Sequence, residues 1–126
     1  MDTDWAIDYL HKADRTVRRL EDLFRDGVGL SVVSLAELYE GLARSANRDS
    51  DAEALRLFME AVALVPLDET ACQIFGVERA RLRQEGNLIG DMDILIGATA
   101  ISNGLTLLTN NRRHFERLQG LSIVPA

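Results

Sequence analysis

A chain of 126 residues suits one domain built around one core, and 47% hydrophobic with 27% charged residues is the balance of an ordinary globular protein. No uncharged run approaches the ~20 apolar residues that cross a bilayer, no basic start followed by an apolar stretch marks an export signal, and Cys72 alone excludes an internal disulfide, so no membrane and a cytoplasmic compartment are expected. The formal net charge of −6 argues against non-specific nucleic-acid binding, yet of the 14 basic residues all but Lys12 are arginine, which grips phosphate in a bidentate way.

From the N-terminus, Asp2 or Asp4 can cap a short helix carrying Trp5, Ile7, Tyr9 and Leu10. Residues 14–26 predict an amphipathic helix with Val17, Leu20, Leu23 and Phe24 on one face, stopped by Gly27. Residues 30–33 read as a buried strand. Ser34 then opens a helix to about residue 45, with Glu37 in the third position of a capping box. A helix over 51–63 turns Leu55, Phe58, Met59 and Val62 inward, and 64–67 is a brief extended segment whose Pro66 belongs at a strand end. A long helix over 69–85 ends at Gly86, and Cys72 on it is expected to pack as a small apolar residue. Residues 94–101 carry no charge, which predicts a helix buried on most sides with Asp91 and Asp93 at its entrance. A strand over 105–108, a short helix over 112–118 and a strand over 121–124 complete the chain.

Short apolar strands alternating with helices indicate an α/β fold, a three-layer sandwich with a short parallel sheet between helices, in a single domain over residues 1–126. In such sheets, sites form outside the carboxyl ends of the strands. Asp2, Glu37, Asp91, Asp93, Thr109 and Asn111 all fall at strand–helix junctions or helix starts. Carboxylates crowded at one edge repel unless a cation neutralises them. Oxygen donors with no nearby Cys or His favour Mg2+ or Mn2+ over zinc, and such ions activate water and hold phosphate oxygens. Arg112 and Arg113, beside the proposed site, are the best placed phosphate contacts. His11 and His114 have no partner at metal-ligand spacing and read as surface residues.

Four stretches in order resemble the PIN-domain family, and within it the VapC-type ribonuclease toxins: Asp2-Thr3-Asp4 before a short apolar helix, residues 31–41 (SVVSLAELYEG), residues 89–100 (IGDMDILIGATA), and residues 107–111 (LLTNN) with Phe115 beyond. The resemblance covers nearly the whole chain. It implies Asp2 and Asp93 as metal ligands, Glu37 as ligand or holder of the ion's waters, Asn111 as the fourth polar residue and Thr109 as the hydroxyl beside it. Asp91 is then a helix cap next to the site. It also implies Mg2+- or Mn2+-dependent cleavage of RNA, a homodimer, and neutralisation by a small antitoxin protein. Family members deliver the first acid on an apolar central strand. Only Met1 precedes Asp2 here, so that strand is expected to be shortened. The alternative expectation is a catalytically impaired PIN-like module that dimerises and binds an antitoxin-like partner. A receiver-like domain ranks last, because it needs a lysine at a late strand end and the one lysine is Lys12.

Overall fold

In the computed structural model, which describes residues 1–12 and 14–124, helices alternate with strands of three residues each. The order is α1 (Thr3–Leu10), α2 (Asp14–Phe24), β1 (Gly29–Ser31), α3 (Val32–Ala43), α4 (Arg48–Ala61), β2 (Ala63–Val65), α5 (Glu69–Glu85), α6 (Asp91–Ser102), β3 (Thr106–Leu108), α7 (Arg112–Phe115) and β4 (Ser122–Val124). The α/β arrangement with short parallel strands among helices is as expected. β1 pairs in parallel with β2 and β3 with β4, giving two half-sheets rather than one continuous ladder. Among the described residues no strand precedes α1. Met1 and Asp2 nevertheless stand between the halves: the Met1 amine donates to Gly29 O at 2.8 Å and the Asp2 amide donates to Leu108 O at 2.9 Å. These two bonds tie β1 to β3 through the first acid. A cavity of about 280 Å3 continues beside them, lined in part by Gly29, Val65, Ile96, Leu107 and Leu108.

Several boundaries differ from the sequence reading. β1 ends at Ser31, and Ser31 rather than Ser34 caps α3, its hydroxyl accepting from the Ser34 amide at 3.0 Å. Strand pairing with Ala63–Val65 fixes where β1 stops, and no local signal in a Ser-x-x-Ser stretch reveals that partner. Glu37 is therefore not the acid of a capping box. α4 begins at Arg48, earlier than the polar loop suggested, and Cys72 is exposed on α5. The long helix is as read: Asp68 caps it through the Ala71 amide at 2.8 Å, and Gly86 closes it with φ of 73°, a left-handed turn that glycine adopts without steric cost.

Two apolar clusters form the core. One gathers Trp5, Leu20, Leu30, Leu38, Leu55 and Phe58 from α1 to α4 and β1. The other gathers Leu82, Ile89, Ile94, Ile96, Leu107 and Phe115 from α5 to α7 and β3. The uncharged helix α6 is buried through Ile94, Ile96, Gly97, Ala98, Thr99 and Ala100, which makes it a fixed platform for the acids at its start. Gly97 is part of that packing. A Cβ there would stand 2.2 Å from Leu118 Cδ1, a side chain itself buried. Overpacking of this kind costs about 1–3 kcal/mol, against about 1 kcal/mol gained from alanine's helix propensity. Gly97→Ala is expected to destabilise the fold, read as a lower urea midpoint. An unchanged or raised midpoint would show that Leu118 can move aside.

Candidate active site

Asp2 is the N-cap residue of α1, with extended backbone (ψ 151°), and its side chain makes no capping bond. The carboxylate is turned elsewhere: Oδ2 accepts from the Thr109 hydroxyl at 2.8 Å. The residue is buried. Burial raises its pKa above the ordinary value, the Thr109 hydrogen bond lowers it, and the charges of Asp4 and Asp93 raise it further. The contact with Thr109 joins residues 107 positions apart, and the hydrogen bond that the Asp2 amide donates to Leu108 O places Asp2 at the carboxyl end of β3.

Asp93 comes from the first turn of α6, where the helix dipole favours a carboxylate. It is partly buried, and its pKa is raised by burial, lowered by His114 and raised by Asp4. Asp91 behaves differently from expectation. Gly90 is the N-cap residue and no side chain caps the helix, while the exposed Asp91 accepts from Arg79 Nε on α5 at 2.7 Å. A long-range ion pair, invisible in local spacing, has taken the carboxylate that the sequence offered as a cap.

The turn after β3 supplies the third wall. Thr109 donates to Asp2 and accepts from the Asn111 amide at 2.9 Å, so one hydroxyl serves both. Asn111 is the N-cap residue of α7 but makes no side-chain cap bond; its Nδ2 lies 3.0 Å from His114 Nδ1. The same ring nitrogen is 3.5 Å from Asp93 Oδ2. His114, read from sequence as an ordinary surface residue, thus stands between two of the proposed site residues. Its signal was the three-residue step from Asn111, one helical turn. Arg112 and Arg113 are exposed on α7, Arg112 within 3.8 Å of Glu116.

Glu37 stands one step away. Its Oε1 accepts from the Thr3 hydroxyl at 2.6 Å, and Thr3 Oγ1 is also 2.9 Å from Ser34 Oγ. It therefore meets Asp2 through the neighbouring residue of α1. Asp4, absent from the sequence-derived set, acts electrostatically on both Asp2 and Asp93. Its position two residues after Asp2, in the first turn of α1, was the available clue.

The structure thus brings together Asp2, Asp93, Thr109, Asn111 and His114, attaches Glu37 through Thr3, and turns Asp91 to Arg79. Among the described residues, no three Asp, Glu, His or Cys side chains stand close enough to cage an ion alone. The donors at this corner suit Mg2+ nonetheless, since that ion binds through one or two carboxylates and keeps several waters. Two acids raised in pKa by burial and by nearby negative charge, Asp4 and Asp93 acting on Asp2 and Asp4 on Asp93, gain most from such a cation.

The family model for the PIN domain matches residues 1–121. The chain is 34% identical over 125 residues to ribonuclease VapC1 of Methanocaldococcus jannaschii, covering 98% of this chain and 84% of that one. It is 31% identical over 121 residues to the tRNA(fMet)-specific endonuclease VapC of Shigella flexneri, covering 96% and 92%. Among solved structures, VapBC2 from Rickettsia felis bound to a DNA fragment from its promoter superposes with a TM-score of 0.91 at 28% identity, over 98% of this chain and 95% of that one.

Proposed function

The chain belongs to the PIN-domain family, and from that premise we propose that it is a divalent-metal-dependent ribonuclease, the toxin of a toxin–antitoxin pair. The observation that carries this reading is that Asp2, buried at the end of β3, feels the charge of Asp93 from the first turn of α6. Relatives over nearly the full chain are named ribonucleases.

Asp2 and Asp93 would hold Mg2+ or Mn2+, which supplies an activated water and stabilises charge on the phosphate oxygens. The Thr109 hydroxyl keeps Asp2 in one orientation and leaves its other oxygen to the ion. Glu37, held by Thr3, orients water on the α1 side. Asn111, tied to Asp2 through the Thr109 hydroxyl, stands beside it, and Arg112 and Arg113 would reach the RNA backbone. The partner antitoxin has a place beside this corner: a cleft of about 240 Å3 between α1, α3 and α4 lined by Ile7, Leu10, Glu37, Leu38, Leu42 and Leu55. Exposed Val77, Leu88 and Met92 on α5 and around the start of α6 supply the apolar surface for a homodimer. Among the described residues no helix is long and apolar enough to cross a membrane.

RNA incubated with the purified chain is expected to be cut when Mg2+ or Mn2+ is present and left intact once EDTA is added. Calorimetry should detect Mn2+ binding at millimolar concentration or below. No binding in that range would favour the non-catalytic partner-binding module, and cleavage that persists in EDTA would remove the metal from the scheme.

A further inference from the structure

β1 pairs with β2 and β3 with β4, and among the described residues no strand lies between the two pairs. In a parallel sheet the backbone polar groups of successive residues point to opposite neighbours. Val28 O accepts from the Ala63 amide of β2, so the amide and carbonyl of Gly29 face the other way, and Gly29 O meets the Met1 amine. Across the gap, Thr109 donates to Val124 O of β4, while Leu108 O accepts from the Asp2 amide. By the same alternation Leu108 N–H and Thr106 C=O lie on that inner edge. Met1 and Asp2 thus bond in turn to β1 and to β3, as consecutive residues of a middle strand do. The cavity of about 280 Å3 continues this line. It runs from Gly29 back to Asp26 on one side and from Leu108 back to Leu105 on the other. Leu23, packed on the first apolar cluster, closes one face, and Ile96, from the second, closes the other.

We propose that this cavity is a binding site for a short extended peptide, about three apolar residues with free ends, that joins the two half-sheets and stops against Met1. An open sheet edge recruits a strand through its backbone groups, and here two such edges face each other. Because the cavity leads toward lower residue numbers on both sides, a peptide that ends at Met1 runs parallel to β1 and β3. Its last residue donates to Thr106 O, and the carboxylate of that residue accepts from Leu108 N–H and the Met1 amine. The carbonyl of the residue before it accepts from Gly29 N–H. The ammonium of the first residue lies toward Asp26, whose carboxylate complements it. A strand covered on both faces is apolar throughout and not in alternation, and β-branched residues suit the extended form best. The site is separate from the acids and stands whether or not the corner at Asp2 and Asp93 binds a metal.

The tripeptide Val-Ile-Val, titrated into the full chain in EDTA and followed by amide NMR, tests this without any metal. Saturation is expected at millimolar concentration or below, with the Gly29 and Leu108 amides shifted and slowed in hydrogen exchange. The same peptide methylated on the nitrogen of its last residue has no N–H for Thr106 O. It is expected to bind about tenfold more weakly or worse. Asp26→Asn, a change at an exposed residue, is expected to weaken Val-Ile-Val about threefold, the value of an exposed charge pair. Absence of binding at millimolar peptide would overturn the proposal. So would equal affinity for the methylated peptide, which marks general apolar adhesion, or shifts confined to the cleft at Leu10 and Leu42. If a second copy of the chain fills the cavity instead, the Gly29 and Leu108 amides are protected in concentrated peptide-free protein and exposed on dilution. That result, too, would overturn the peptide assignment.

Discussion

Asp93→Asn should cut RNA cleavage by about 10²-fold or more while making the metal-free protein more stable. On the proposed mechanism the loss follows from removing one of the two carboxylates that would hold the cation, which would stabilise charge on the transferring phosphate. The gain in stability follows from the direction of the Asp93 pKa. Burial raises it above its unfolded value, and the charge of Asp4 adds to that. A carboxyl with a raised folded pKa binds more protons folded than unfolded between the two values. Stability therefore falls as pH climbs through that window and stays lower above it. At neutral pH the ionised Asp93 is a cost to the fold, partly offset by His114, and a neutral amide of the same shape removes it. Function and stability then pull apart, as expected where a site is built against the fold's own preference. The measurement is thermal unfolding in EDTA beside a cleavage assay in Mn2+. Mn2+ should raise the melting temperature of the wild type and do much less for the variant, since a ligand stabilises only the state that binds it. A variant that loses cleavage and stability together would make Asp93 a structural residue. Metal affinity itself should rise with pH until Asp2 and Asp93 are both ionised, because both are raised in the same direction.

Different parts of this molecule were legible in the sequence to different degrees, and range explains most of it. The uncharged run over 94–101 and the glycine stop at Gly86 are local properties, and the helices they predict are present. Thr109 and Asn111 are legible through their place after a strand, again a local feature, and both lie in the turn beside Asp2. The fate of Asp91 was not legible that way: both acids lie in the first turn of α6, and what draws Asp91 away from capping is Arg79, twelve residues earlier on α5. Ser31 against Ser34 as cap turned on where a three-residue strand runs out, which its partner β2 decides. The anchoring of Asp2 was hardest to foresee. It rests on one bond to Gly29 from Met1 and one to Leu108 from Asp2, and neither bond leaves a trace in residue type. His114 has no partner at metal-ligand spacing, and its contacts, with the Asn111 amide and Asp93, are set by the fold.

Glu78→Ala is expected to be among the most damaging single changes, costing about 2–4 kcal/mol. In sequence Glu78 is one more acid on a helix of mixed polarity. In the structure it is buried at 6% exposure and both of its oxygens are used. Oε2 accepts from Arg81 at 2.7 Å, and Oε1 accepts from the Gln119 amide at 3.0 Å. Arg81 in turn donates to Arg117 O at 2.6 Å and to Glu85 at 3.0 Å. The pair therefore clamps α5 to the segment that follows α7. Removing the carboxylate leaves a backbone N–H unpaired and strips Arg81 of its inner partner, the situation in which an ion pair costs most to break. The Arg81 side chain keeps 23% exposure, so water recovers part of its charge and the lower half of the range is the better guide. Urea denaturation should show the loss. Arg81→Ala combined with Glu78→Ala should cost less than the two singles added, the coupling expected of one network. A loss under about 0.5 kcal/mol would reduce the contact to the value of an exposed bridge. The consequence reaches the site, because the clamped segment follows directly on α7. One wall, Asp93, rests on a helix sunk in the core. The opposite wall, Asn111 with His114, depends on Phe115 and on this clamp. Loosening at Glu78 should therefore lower Mn2+ affinity in protein that is still folded, and should do so before Asp93 has moved.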